Sequence, residues 1–271
     1  MSHKILGIAT ILYVLVFFFH ALFFATKKQK LISVIWVSLY VTLAFQMAGI
    51  ILRWIESYGL GIGHAPLSNF YESLVFYSWC ISFVLVLIKK RVYPYPLITM
   101  LVSLVSLAFL GYASISPSVE KNIQPLIPAL QSNWLHIHVI TCFIAYASFA
   151  VSFIASLLYF VEWKGMLPPK ETMEEINYRS IIVGFLMLSA GILTGAVWAH
   201  YAWGTYWGWD PKETWSLITW IVYAVFLHAR LVKGWKGKRL ALLSVIGFVC
   251  VIFTYFGVNF LLSGLHSYGT K

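Results

Sequence analysis

Charge is scarce in this chain. Only 10% of its 271 residues are Asp, Glu, Lys or Arg, and nine of them are acidic. Soluble domains carry about 25%, so an ordinary water-facing surface is excluded. Cysteine is scarce too. Cys80, Cys142 and Cys250 all lie within apolar runs, and no Cys-x-x-Cys or Cys-x-x-Cys-His occurs. That excludes a thiol–disulfide exchanger, a cysteine zinc site and a covalently attached c-type haem. The three read as small packing residues. No clear repeat or low-complexity linker is present, and no cleavable leader is expected. The first apolar run ends in lysines instead of a small-residue cleavage site.

Apolar residues take the place of charge. They make up 61% of the chain, and the mean hydropathy is +0.83. A spanning helix needs about 20 apolar residues. Eight segments qualify, near 5–26, 31–52, 69–88, 95–115, 134–162, 179–199, 213–232 and 240–263. The expected fold is therefore all-α, a polytopic membrane protein of eight transmembrane helices in a single domain, residues 1–271. Pro168-Pro169 followed by Glu171, Glu174 and Glu175 reads as a short turn and helix start.

The net charge of +10 does not point to nucleic acid, because the cations sit in short clusters between apolar runs. The connections 27–30, 89–91, 163–179 and 230–239 hold 14 of the 19 Lys and Arg residues. By the positive-inside rule these face the cytoplasm. Both termini, and the loops 53–68, 116–133 and 200–212, then face outward. The expected location is a bacterial cytoplasmic membrane or its equivalent.

Half of the twelve tryptophans fall between Trp198 and Trp220. An interfacial belt explains one or two per helix end, but not six in one outward segment. Trp203, Trp207 and Trp209 are read as a flat apolar shelf for a flat apolar macrocycle. Asp210-Pro211-Lys212-Glu213 fits the first positions of a helix, with Asp210 as cap, Pro211 as first residue and Glu213 closing a capping box. Asp210 and Glu213 thus orient the shelf. Lys212 or Arg53 is a candidate for an acid group of the macrocycle.

Depth sorts the eight histidines. His20 and His228 lie seven and five residues before the lysines that mark the basic edge, about 8–10 Å inside it at ~1.5 Å per residue. An ionisable residue in a membrane helix is a functional candidate, and two at matched depth suggest a paired axial site. Each alone also reads as a neutral ring satisfied by a carbonyl. His138 and His266 lie at outer helix ends, on the tryptophan side. Imidazole is a common haem-iron ligand, so this pair is the expected outer haem site. His64 and His200 are reserves. His136 is two residues from His138 and points elsewhere.

The run from Gly195 to Ala199, continuing through Trp203-Gly204-Thr205-Tyr206-Trp207-Gly208-Trp209-Asp210-Pro211-Lys212-Glu213-Thr214-Trp215, closely resembles the WWD signature of the CcsA/ResC family of cytochrome c assembly proteins. Residues 63–73, 131–139, 227–230 and 264–269 resemble that family's other segments. The resemblance covers residue 60 to the end. It implies a protein that holds haem b non-covalently, one or two per chain, and presents it at the outer face for attachment to apocytochrome c. It places the two outer histidines at His138 and His266 and the membrane histidine at His228. His20 has no motif support.

The implied partners are a CcsB-type membrane protein and apocytochrome c. No catalytic residue is expected, and the chain would act as a subunit of a cytochrome c synthase. In length the chain also resembles the related HemX proteins. That alternative makes it a haem-sensing regulator of a cytoplasmic haem-synthesis enzyme, contacted through 163–179. A di-haem transmembrane redox protein is a third reading, and a transporter with tryptophan anchors a fourth.

Overall fold

Eight helices in the computed structural model are long and apolar enough to span a membrane. The structure describes residues 1–161 and 167–262, and every regular element among them is helical. The elements are α1 (Ser2–Thr26), α2 (Lys30–Gly59), α3 (Phe70–Leu87), the single turn α4 (Lys89–Val92), α5 (Pro96–Ile115), α6 (Asn133–Tyr159), α7 (Lys170–Trp203), α8 (Pro211–Leu231), α9 (Lys238–Ile252) and α10 (Val258–Leu261). A π-helical turn, Phe253–Gly257, joins α9 to α10, so the three form one span.

All eight expected spans are present, but two reach further than their apolar runs. The second continues to Gly59. The sixth begins at Lys170, nine residues early, so the turn and helix start after Pro168-Pro169 belong to the same helix. Hydropathy marks where lipid contact ends, whereas a helix goes on while its polar residues find partners. Here Glu171 lies in the first turn of α7, where it suits the dipole. Arg179 then pairs with Glu175 one turn back.

The chain forms two compact units, Met1–Leu126 and Ile127–Lys271. In the first, α1 packs on α2 and α5, and α3 on α5 and α2. The buried stripe of α1 is Leu6, Ala9, Tyr13, Val16, His20 and Phe23, at the three- and four-residue spacing of one helix face. Its opposite face leaves Ile11, Phe18 and Val14 exposed, as suits a lipid solvent. Polar groups inside this unit are paired across helices. The Tyr13 hydroxyl bonds Gln46 at 3.0 Å and Ser82 at 2.7 Å. Arg53 is buried and donates through Nε to Glu72 at 2.8 Å. Its Nη1 and Nη2 donate to the carbonyls of Lys121 and Asn122. One guanidinium thus ties α2 to α3 and to the loop after α5.

In the second unit α6 lies along α7 in the most extensive helix contact. Gly184 lets the Phe149 ring sit where a Cβ would meet it at 2.4 Å. Phe149 in turn stacks on Tyr223 of α8, with centroids 3.6 Å apart. Packing of this kind, through small residues, drives helix association in lipid.

Removing one partner of the Arg53–Glu72 pair strands a charge in an apolar interior. Glu72→Ala is expected to lower stability by about 3 kcal/mol or more. Thermal unfolding in detergent, followed by intrinsic fluorescence, measures it. An unchanged midpoint would show that the pair does not hold the first unit together.

Candidate functional site

The tryptophan segment is a short loop clamped at both ends. α7 stops at Trp203 because Gly204 takes a left-handed conformation, φ 82°, and its N–H returns to the His200 carbonyl. α8 starts at Pro211 with Asp210 as its cap. Asp210 Oδ1 accepts the Lys212 N–H at 2.9 Å. Glu213 Oε2 accepts the N–H groups of Gly208 at 2.8 Å and Asp210 at 3.3 Å. This is the capping box that the residue order predicts, and it also staples the loop.

The six tryptophans play different parts. Trp198 is 1% exposed, and its Nε1 donates to the Ala129 carbonyl at 2.8 Å. Trp220 donates to Ser189 Oγ, and Trp215 packs on Phe253 of the π turn at 4.1 Å. These three build the support. Trp203 meets Trp198 edge-on at 4.8 Å and is half-buried. Trp207 is half-buried and edge-on to Trp209. Of the three expected shelf residues, only Trp209 is fully displayed, 68% exposed. Beside it in the chain, Tyr201 and Tyr206 are exposed as well, and Tyr206 stacks flat on His200 at 4.3 Å. These tyrosines escaped a reading based on tryptophan density. Their place in the same segment was the available signal.

Trp209 is held at φ 57°, a left-handed conformation that costs an L-residue about 1–2 kcal/mol. Such strain persists where the surroundings impose it, and it concentrates at functional sites.

His138, on α6, packs against the part of α7 that leads into this loop. Its ring is near-parallel to that of Trp198, with centroids 5.9 Å apart and an 18° tilt. Its Nδ1 lies 2.7 Å from the Gly191 carbonyl of α7. A carbonyl only accepts, so Nδ1 carries the proton and Nε2 the lone pair. That is the tautomer of an Nε2 metal ligand, oriented by a backbone acceptor. Gly195 makes the seat: a Cβ there would lie 2.6 Å from Nδ1. Cys142 Sγ is 3.7 Å from the same nitrogen. Cys142 stands one turn from His138, so this contact adds to the packing role expected of it.

The remaining candidates separate. His266 lies outside the described residues. His228 is exposed on the last turn of α8. His20 belongs to the first unit and is fully buried, with Nδ1 2.8 Å from the Val16 carbonyl and Nε2 without a hydrogen-bond partner among the described residues. Its tautomer also leaves the Nε2 lone pair for a ligand, inside a closed helix interior. His64 faces two carbonyls, Ala65 through Nδ1 and Gln124 through Nε2, so it offers a metal nothing. All three guanidinium nitrogens of Arg53 are engaged, whereas Lys212 Nζ meets the neutral amide oxygen of Asn259 at 3.1 Å.

The residues present fit haem. There is an imidazole with its lone pair on Nε2, an aromatic wall and a displayed aromatic loop. Two substitutions separate strain from support. Trp209→Gly suits the left-handed turn, so stability should hold or rise by about 1 kcal/mol. Gly195→Val collides with the His138 ring and should cost about 1–3 kcal/mol. Thermal unfolding of the two variants in detergent compares them, and equal destabilisation would contradict this division.

Comparisons with known proteins identify the family and the fold of this chain. The family model for "Cytochrome C assembly protein" matches residues 67–266. The cytochrome c biogenesis protein CcsA of Chlamydomonas reinhardtii is 44% identical over 231 residues, covering 81% of this chain and 64% of that protein. The CcsA of a Prochlorococcus marinus strain is 38% identical over 278 residues, covering 90% of this chain and 85% of that protein. Among solved structures, the cytochrome c haem lyase CcmF shares the fold, with a TM-score of 0.75 at 14% identity. The match covers 97% of this chain and 47% of that one. This chain is a membrane-integral member of the cytochrome c assembly protein family.

Proposed function

We propose that the protein holds haem b at the tryptophan loop of its second unit and presents it for attachment to apocytochrome c. The observation that carries this reading is the His138 ring, whose Nδ1 is committed to the Gly191 carbonyl. That bond directs the Nε2 lone pair to a ligand. His266 is the proposed second ligand. The haem supplies an iron that two imidazoles bind and the macrocycle that is delivered.

The protein's own residues then have distinct tasks. Trp198 and Trp203 wall the His138 side, while Trp207 and Trp209 with Tyr201 and Tyr206 offer aromatic surface at the loop. Asp210 and Glu213 hold the loop through the capping box. His228, exposed on α8, is the proposed point where haem is taken up from lipid. His20 remains a second candidate ligand, and a porphyrin reaching it must part the helices around it. The clustering of Lys and Arg in the connections 27–30, 89–91, 163–179 and 230–239 supports an outward-facing loop and outward termini.

The loop Gly204–Asp210 is too small to grip a protein substrate alone, so a CcsB-type membrane partner would share the work. The alignment over 85% of a CcsA relative's length favours this assembly role over a HemX-type regulator.

Absorption spectra of the detergent-purified protein, before and after dithionite, test the reading. A low-spin b-type spectrum is expected. It should weaken strongly in His138→Ala and His266→Ala and only partly in His228→Ala. A protein that stays colourless when haem is supplied would end the proposal.

A further inference from the structure

A groove of about 400 Å³ runs along the surface of the first unit between α1 and α2. Leu12, Leu15 and Phe19 line it from α1, and Val34, Val37 and Val41 from α2. Leu15, Val34, Val37 and Val41 are exposed. Ser38 also borders the groove, but its hydroxyl donates to the Ile35 carbonyl one turn back. The walls are therefore apolar. In a bilayer the hydrocarbon tails match them, because lipid tails are as apolar as leucine.

One end of the groove is basic. Lys30, Val34, Val37 and Val41 have the spacing of one helix face, so Lys30 continues the α2 wall. Lys28 stands two residues away in the connection, and both lysines are exposed. No side chain caps α2 and no acid occupies its first turn, so the helix start also favours an anion. The acids of this unit are Glu56, Glu72 and Glu120. They belong to its opposite end. There Glu56 meets Ser2, Glu72 holds Arg53, and Glu120 adjoins the Lys121 carbonyl that Arg53 also takes. Neither Lys28 nor Lys30 thus finds an acid within its own unit.

Depth agrees with charge. From Val41 to Lys30 is eleven residues, about 16 Å at ~1.5 Å per residue. The hydrocarbon of one leaflet is about 15 Å deep, half of the bilayer's ~30 Å. A chain lying in the groove therefore brings its headgroup to Lys30. A partner helix of that length would occupy about 1,200 Å³, far more than the groove holds. We propose that the groove binds one acyl chain of an anionic phospholipid, whose phosphate pairs with Lys28 and Lys30. The apolar walls select a chain, and the two lysines select the charge. The bound lipid then becomes part of the α1–α2 packing.

Dioleoyl phosphatidylglycerol and dioleoyl phosphatidylcholine differ only in the headgroup, anionic in one and zwitterionic in the other. Each is titrated into the full-length protein in detergent. Native mass spectrometry counts the lipids retained by wild type, Lys28→Gln/Lys30→Gln and Val37→Trp. Wild type should retain one phosphatidylglycerol roughly tenfold more tightly than phosphatidylcholine, the scale of two lysines at a membrane surface. The double variant should bring that ratio near one. Lys28 and Lys30 are exposed, so this variant keeps its fold and the test does not hang on the groove variant. Val37→Trp fills the groove and should weaken both lipids. Equal retention of the two lipids by wild type would overturn the proposal. So would a phosphatidylglycerol preference at full strength in Val37→Trp, since the lysines would then attract an anion without the groove. A second copy of the chain bound through this face, and released by Val37→Trp, would overturn it as well.

Discussion

A polar group in hydrocarbon has no water to turn to, so each must find its partner within the protein. That constraint organises both units. Arg53 is tolerated inside the first because Glu72 and two loop carbonyls take its nitrogens. Tyr13 is tolerated because Gln46 and Ser82 meet its hydroxyl. In the second unit, Trp198 and Trp220 send their indole N–H groups to Ala129 and Ser189. Each such bond joins elements that dispersion alone would leave free to slide.

The same constraint produces the geometry of the proposed site. His138 is partnered by a backbone carbonyl of α7, which requires the two helices to approach closely. Gly191 and Gly195 allow it, since side chains there would collide with Cys142 and the His138 ring. The satisfied nitrogen leaves the other one as the electron-pair donor. The carboxylates of Glu213 and Asp210 fasten the backbone on both sides of Trp209, which takes a left-handed conformation. Below Trp215, the π turn brings Phe253 against the indole, and Asn259 follows it to reach Lys212. The proposed haem site is thus a consequence of how α6, α7, α8 and the last span are fastened.

Much of this was legible before any coordinates. The eight spans followed from apolar runs of bilayer length. The capping box at Asp210 and Glu213 followed from residue order, because a cap is a local interaction within one turn. Local rules failed where distant partners decide. The early start of α7 at Lys170 was hidden because polar residues end a hydropathy window without ending a helix. Arg53 looked like a candidate for an acid ligand until Glu72, nineteen residues away, proved to hold it. His20 and His228 look alike by depth, yet one is enclosed and the other exposed.

Composition and spacing by themselves determined the solvent and the number of helices, and the resemblance of contiguous motifs pointed to the family. Those properties depend on apolar runs and on contiguous residues. Tertiary structure alone decided which aromatic rings support and which are displayed, which nitrogen of His138 keeps its lone pair, and which side chain the Lys212 ammonium meets. Those depend on contacts between residues far apart in the chain, such as His138 with Gly191 and Lys212 with Asn259. No periodicity encodes them, because they arise only when helices pack closely enough for one backbone to meet another's side chain.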